Sequence, residues 1–239
     1  MAGLPCLGFV GCGTIASAMV RGLCTLDEPP ASIIVSPRSA SKVAALKVDF
    51  PDLVTVAADN QAVVDACDWV FLGVLPQQAE DVVPALRFRA DQTVCTLMAI
   101  VPTARIVEWV APVLPERVFR AVPLPPVQHH ACTTIITPPD HNIAALFDRL
   151  GGSVQVSTED DLTTLQAITS MMGPFYQLLR CSRDWAAAAG VDRLAASKYV
   201  GDIFHSIAVD GKRMGGKLTG FDELVAEQTP VSVVVNTIH

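Results

Sequence analysis

Aromatic residues make up only 6% of this 239-residue chain, and charged residues only 17%. With 51% of the residues hydrophobic, so little charge excludes a disordered, solvated polymer. Fifteen glycines and 17 prolines, without any period, exclude a collagen-like or low-complexity chain. Basic charge is also short, with 17 Lys plus Arg against 24 Asp plus Glu and a formal net charge of −7. Such a balance carries no general attraction for phosphate backbones or anionic lipid, so neither nucleic acid nor membrane is expected as the main partner. The seven cysteines are an odd set with no C-x-x-C pair. Most lie inside apolar runs, where buried reduced thiols are expected. The histidines lack metal-ligand spacing, and no structural metal is expected.

Long uninterrupted apolar runs are missing too, although mean hydropathy is high at +0.41. Residues 1–20 carry no side-chain charge, but they have no basic n-region and are broken by Pro5 and several glycines. The uncharged stretch 121–139 contains five prolines and two histidines, which excludes a spanning helix. No targeting segment is evident, so a soluble, cytoplasmic protein is expected.

What is present is an alternation of short β-branched runs with helical patterns. Strands are predicted at Leu4–Val10, Ser32–Ser36, Val54–Val56, Trp69–Val74, Thr93–Leu97, Val118–Val122, Thr133–Thr137 and Val154–Val156. Helical patterns such as Thr14–Leu26 and Ser39–Phe50 separate the early ones, the signature of βαβ units and a mainly parallel sheet. Ile15, Met19 and Leu23 form one stripe facing that sheet. The Pro-rich connector Pro123–Val127 breaks the pattern, so the last strands can run differently. An α/β domain with a mainly parallel sheet over residues 1–157 is predicted.

From 158 onward the chain reads as all-helical. Ser157 and Thr158, followed by Glu159, Asp160 and Asp161, mark a helix start, because hydroxyls cap free N–H groups and acids suit the positive end. Gly173-Pro174 is expected to break a helix, with Tyr176 a core residue just beyond. Another helix is predicted over Arg193–Met214. Its stripe of Tyr199, Val200, Ile203, Phe204 and Ile207 is too broad for one neighbour and suits burial against a second copy, a homodimer.

The segment Gly11-Cys12-Gly13-Thr14-Ile15-Ala16 carries G-x-G-x-x-A between a strand and a helix. The first glycine makes a tight turn, the second admits a pyrophosphate, and the small Ala16 lets helix pack on strand. An NAD site places an acid at the end of the second strand to take the ribose hydroxyls. Here that position, 20 beyond Ala16, is Ser36, followed by Arg38 and Ser39. Hydroxyls with a guanidinium suit the 2′-phosphate of NADP. His129 and His130 read as a surface loop pair, since adjacent residues on an extended segment face opposite sides.

Several segments in order resemble the pyrroline-5-carboxylate reductases. Gly8–Ala16 is similar to that family's G-F-I-G-x-G-x-M-A, and Asp68–Gln77 to its D-x-x-x-x-A-V-K-P-Q. Arg120–Val127 is similar to R-x-M-P-N-T-P, Gly173–Tyr176 to the S-G-P-A-Y segment, and Gln228-Thr229-Pro230 to the start of the S-P-G-G-T-T loop. The resemblance implies a Rossmann domain, a helical dimerisation domain and NADPH-dependent reduction of a cyclic imine acid. It implies cofactor contacts at Val74, Leu75, Pro76 and Ala99, substrate contacts at Met172 and Gly173, and catalytic roles for Thr229 and Ser232.

Departures cluster where that substrate would bind. Leu75 replaces a lysine, Leu124 and Pro125 replace Asn-Thr, and Met171-Met172 replaces Ser-Gly. Val231-Ser232-Val233-Val234 stands in place of Gly-Gly-Thr-Thr. Valines crowd an anion nest and donate no side-chain hydrogen bonds. Weak or no reduction of pyrroline-5-carboxylate itself is therefore expected. Two alternatives stay open: a nucleotide-binding paralogue without catalysis, and a β-hydroxyacid dehydrogenase. The second resembles the chain less, because no lysine or asparagine lies between Asp161 and Arg183.

Overall fold

All eight apolar runs form strands of one sheet in the computed structural model, which describes residues 4–228. They are β1 (Leu7–Val10), β2 (Ile33–Val35), β3 (Val54–Val56), β4 (Trp69–Leu72), β5 (Thr93–Thr96), β6 (Val118–Val122), β7 (Thr134–Thr137) and β8 (Ser153–Gln155). Their order is β3-β2-β1-β4-β5-β6-β7-β8. Pairing is parallel from β3 across to β6, antiparallel between β6 and β7, and parallel again to β8. The antiparallel step follows the Pro-rich connector, whose residues Pro125–His129 form a 3-10 turn.

The intervening helices are α1 (Thr14–Cys24), α2 (Ala40–Asp49), α3 (Asn60–Ala66), α4 (Pro76–Val82), α5 (Thr103–Trp109), α6 (His141–Arg149) and α7 (Glu159–Ile168). Met19 and Leu23 of α1 are fully buried in one core layer, where Phe9 and Phe71 stack at 4.9 Å between ring centroids. The other face is packed by Val10, Val70, Leu72, Val94 and Ile106. Sheet residues buried on both faces explain why these strands read as near-continuous apolar runs instead of alternating ones.

The chain divides into two compact units, with the boundary after Ile168 instead of at the 157/158 position expected from sequence. The reason lies in α7. Its Leu162 is fully buried, and Glu159 in its first turn pairs with Arg120 of β6. The acidic start expected at Thr158 is present: the Asp161 N–H donates to Thr158 Oγ1 at 3.1 Å, and that hydroxyl donates back to Asp161 at 2.6 Å.

The second unit holds α8 (Met172–Ala188), α9 (Arg193–Met214) and α10 (Gly220–Ala226). Gly173-Pro174 does not break a helix, as the sequence suggested, but opens one. Pro174 lies in the first turn of α8, where no intrahelical N–H partner is lost. Gly190 stops the helix with φ +98°. Asp192 caps α9 by accepting the Leu194 and Ala195 N–H groups. Among the described residues, no helix is long and apolar enough to cross a membrane.

Candidate functional site

The strand order reverses direction at β1 and β4, so the turns leaving their carboxyl ends flank a crevice, the usual ligand position in an open α/β sheet. Gly11 lies in the first of these turns with φ +87°. A Cβ there would fall 2.7 Å from the backbone C of Gly73 and N of Val74. A Cβ on Gly73 would fall 2.8 Å from the Gly11 carbonyl oxygen and 3.1 Å from Ala16 Cβ. The β1–α1 and β4–α4 turns thus touch backbone to backbone, which only two glycines and a small Ala16 permit. Gly73 was not singled out from sequence, although a glycine directly after an apolar strand is the signal that finds it.

Gly13 is the N-cap of α1, with φ −73°. A Cβ at Gly13 would meet only the Gly73 oxygen, at 3.8 Å, so the space before the helix is open. No side chain caps α1 and its first turn holds no acid. The first-turn N–H groups of Thr14, Ile15 and Ala16 consequently have no intrahelical partner and face a positive dipole end. That is a cradle for a diphosphate. Cys12, between the glycines, is buried, and burial pushes its thiol up to about 11 despite the nearby Lys42. It is a packing group in this turn, not a nucleophile at neutral pH.

Ser36, expected at the 2′-phosphate, is instead wholly buried. Its hydroxyl oxygen accepts the Gly11 N–H at 2.8 Å, so it braces the glycine turn from behind. The exposed residues past β2 are Arg38 and Ser39, the latter at φ +68° as the N-cap of α2. A second cation joins them: Lys42, one turn into α2, donates from Nζ to Thr14 Oγ1 at 2.7 Å, placing its charge at the N-terminus of α1. Sequence reading gave Lys42 no role, because its approach to α1 depends on how the two helices pack. Arg21 is otherwise engaged, paired with Asp49 at 2.7 Å. Two exposed cations, an uncapped helix start and no acid after β2 form a donor set that fits a phosphorylated dinucleotide.

Further along the carboxyl edge, Val74 is half-buried and Pro76 opens α4. Leu75 and, after β5, Ile100 are 62% and 69% exposed, two apolar side chains on neighbouring turns. The Ala99 carbonyl accepts from Arg120 Nη2, while Arg120 Nη1 donates to Glu159. Glu159 in turn accepts from the Thr103 hydroxyl and, at 3.3 Å, its N–H. Arg120 is 4% exposed, so this cluster ties the turn after β5, the start of α5 and the start of α7 to one buried guanidinium. Only the sequence motif around Arg120 hinted at it, and Glu159 read merely as a helix-start acid.

His130 adopts φ +54°, and its Nε2 lies 2.8 Å from the Gly22 carbonyl oxygen and 3.3 Å from Thr25 Oγ1. It fastens the connector to α1, while His129 is exposed. In the helical unit Met172 is half-buried, and Gly173 is exposed, with open space where a Cβ would project. Tyr176, expected in a core, is 57% exposed, because it lies on α8 away from the contact Phe175 makes with Phe204. Thr229 and Ser232, with the rest of the altered loop through Val234, lie outside the described residues.

Sheet order and glycine crevice define a Rossmann-type nucleotide-binding architecture followed by a helical unit. Residues 6–99 match the family model described as NADP oxidoreductase, coenzyme F420-dependent. A pyrroline-5-carboxylate reductase from Pseudomonas aeruginosa is 26% identical over 204 residues, 81% of this chain and 73% of that protein. One from Pisum sativum is 28% identical over 198 residues, 78% of this chain and 70% of that protein. A crystal structure of Plasmodium falciparum pyrroline carboxylate reductase with NADP bound superposes with a TM-score of 0.75 at 15% identity, covering 98% of this chain and 89% of that one. The chain is thus similar to pyrroline-5-carboxylate reductases over about four-fifths of its length.

Proposed function

We propose that the protein is an NADPH-dependent reductase that delivers a hydride to a cyclic imine or a related C=N or C=O group. The observation that carries this reading is the cradle: Gly11 against Gly73, an uncapped α1, and Arg38 with Lys42 where an NAD site would hold an acid. The NADP-bound relative and the matched family model support the same cofactor. In this reading Gly11, Gly13 and the amides of Thr14, Ile15 and Ala16 receive the pyrophosphate. Arg38, Ser39 and Lys42 take the 2′-phosphate, and Val74, Leu75, Pro76 and Ala99 line the nicotinamide end. Bound NADPH supplies the hydride. The chain's part is to hold two planar partners face to face in a water-poor space, which is where most of the acceleration of such a transfer arises. An imine protonated in water needs no strong general acid, and none stands out among the described residues of the crevice. Met172, Gly173, Thr229 and Ser232 are the proposed substrate-side residues.

Arg38→Ala should erase most of a preference for NADPH over NADH. Loss of one charge-assisted contact costs about 1.5–3 kcal/mol, roughly ten- to hundredfold in relative affinity. Fluorescence titration with both nucleotides checks this, and equal affinities in the unsubstituted protein would remove the NADP assignment.

The reaction is tested by steady-state NADPH oxidation with pyrroline-5-carboxylate, other cyclic imines and keto acids. Turnover of at least one imine is expected. Pyrroline-5-carboxylate itself should give kcat/KM well below ~10⁴ M⁻¹s⁻¹, the lower end of ordinary enzymes. Tight NADPH binding without turnover of any substrate would favour the non-catalytic paralogue.

The reading includes a homodimer formed through the helical unit. Tyr199, Ile203 and Ile207 of α9 are 70%, 40% and 58% exposed, and Trp185 of α8 is 65% exposed. Trp185, Tyr199 and Ile203, with Val191, Ala196 and Phe204, line an apolar groove of about 720 Å³. Open apolar surface of this extent marks an association site. Light scattering at micromolar concentration should report at least twice the 25.4 kDa of one chain. A cytoplasmic setting fits the free cysteines, which a reducing compartment preserves.

A further inference from the structure

Two of the seven cysteines are brought together at the amino-terminal edge of the adjacent parallel strands β1 and β4. Cys6 immediately precedes β1 and Cys67 is the C-cap of α3, yet their sulfurs lie 3.1 Å apart. No second sulfur–sulfur contact of this kind occurs among the described residues.

The surroundings hold this pair in register. Gly8 of β1 leaves the room: a Cβ there would fall 3.0 Å from both Cβ and Sγ of Cys67. The Cys67 backbone is anchored by the buried Gln92, whose side-chain amide donates to the carbonyls of Val64 and Cys67, each at 2.7 Å. The next residue, Asp68, pairs with Arg89 at 2.6 Å. Cys6 is half-buried and Cys67 fully buried, so solvent reaches the pair from the Cys6 side. Burial first, then the hydrogen bond with Cys6 and the nearby Asp68, push the Cys67 thiol up, with Arg89 acting the other way.

We propose that Cys6 and Cys67 are a reversible redox modification site that closes to an intrachain disulfide under a two-electron oxidant of the peroxide class. Cys6 releases its proton and the thiolate attacks one oxygen of hydrogen peroxide; the O–O bond breaks, Cys6 becomes a sulfenic acid, and the departing hydroxide takes up that proton as the first water. The Cys67 sulfur then displaces the hydroxyl from Cys6. The S–S bond forms, the S–O bond breaks, and the thiol proton leaves with the second water. The two sulfurs together lose two electrons and the peroxide gains them. A thiol reductant reverses the bond by exchange. Cys6 is thus the attacking group and Cys67 the resolving one. The closed form joins the entry of β1, whose other end is the Gly11 turn, to the end of α3.

The test uses the full chain carrying Cys181→Ser, which removes the exposed thiol and leaves six cysteines. After stoichiometric hydrogen peroxide, unfolding and alkylation, two of those six should resist alkylation and the intact mass should fall by two hydrogens. A nonreducing digest should yield a peptide joining residues 6 and 67. Tm should rise by about 5–10 °C and return with dithiothreitol. In a Cys67→Ala background, dimedone should trap sulfenic acid at Cys6 at least tenfold more than when Cys67 is present. Retention of all six thiols, a cross-link between other cysteines, or equal dimedone labelling with and without Cys67 would each overturn the proposal.

Discussion

Gly11→Ala is expected to destabilise the nucleotide-binding unit strongly, whereas Gly13→Ala should leave its stability intact and strip it of its cofactor. At Gly11 the backbone has φ +87°, and the added methyl would sit 2.7 Å from backbone atoms of Gly73 and Val74. Left-handed strain alone costs about 1–2 kcal/mol for an ordinary residue. The clash adds to it, because the opposing atoms are backbone in two adjoining turns and cannot swing aside. A loss of about 3 kcal/mol or more in urea unfolding is expected, a large share of a typical domain's stability. At Gly13 the backbone is ordinary and a methyl would meet only the Gly73 oxygen, at 3.8 Å. Its urea midpoint should stay near that of the unsubstituted protein. The methyl would stand in the open space before α1, where the pyrophosphate is proposed, so NADPH affinity should fall at least about 100-fold. If both variants lose stability together, or if Gly13→Ala binds normally, the crevice is not the site.

Glu159→Ala should be the most damaging loss of a single charge. It removes the carboxylate that satisfies a guanidinium only 4% exposed and also accepts the Thr103 hydroxyl and N–H. Leaving a buried charge without its partner costs about 3–5 kcal/mol in well-buried pairs. Glu159 is itself 38% exposed, so water screens part of the pair and about 2–3 kcal/mol is the expected loss. Arg120→Met should cost less than the acid's removal, since it takes away the charge and an Nε that has no partner while keeping bulk. The double variant should then show clear coupling: once Arg120 is gone, Glu159→Ala should cost well under ~1 kcal/mol. Additive losses would mean that the pair contributes no stability through its contact. The same loop holds the Ala99 carbonyl, so NADPH affinity read beside the urea curves tells whether the cluster also shapes the cofactor's far end.

Local chemistry carried much of this fold into the sequence. Eight short apolar runs, those in the middle of the sheet buried on both faces, announce strands without knowledge of their neighbours. The stretch Gly11–Ala16 announces a strand-to-helix turn, because glycines and a small residue at that spacing meet one steric demand. The edges erred where long-range contacts intervene: β4 stops at Leu72, because Gly73 has left the strand to lie against Gly11.

What the tertiary structure alone decided are the distances between segments far apart in the chain. Ser36 and Arg38 look equivalent along the sequence. Packing sends one inward to brace Gly11 and leaves the other in solvent. Lys42 reaches Thr14, Glu159 reaches Arg120 and Cys6 reaches Cys67 across 28, 39 and 61 residues respectively. No propensity or spacing rule encodes such approaches, because each depends on the register of the sheet and on which helix face it covers. The domain boundary moved for the same reason: the residues of α7 read as the start of the helical unit, but burial of Leu162 and the pairing of Glu159 hold them to the sheet. Sequence therefore determined the elements and the chemistry of the glycine turn, which arise from neighbours in the chain. The fold determined which side chains that turn can use, since burial and charge at a site are properties of the whole packing.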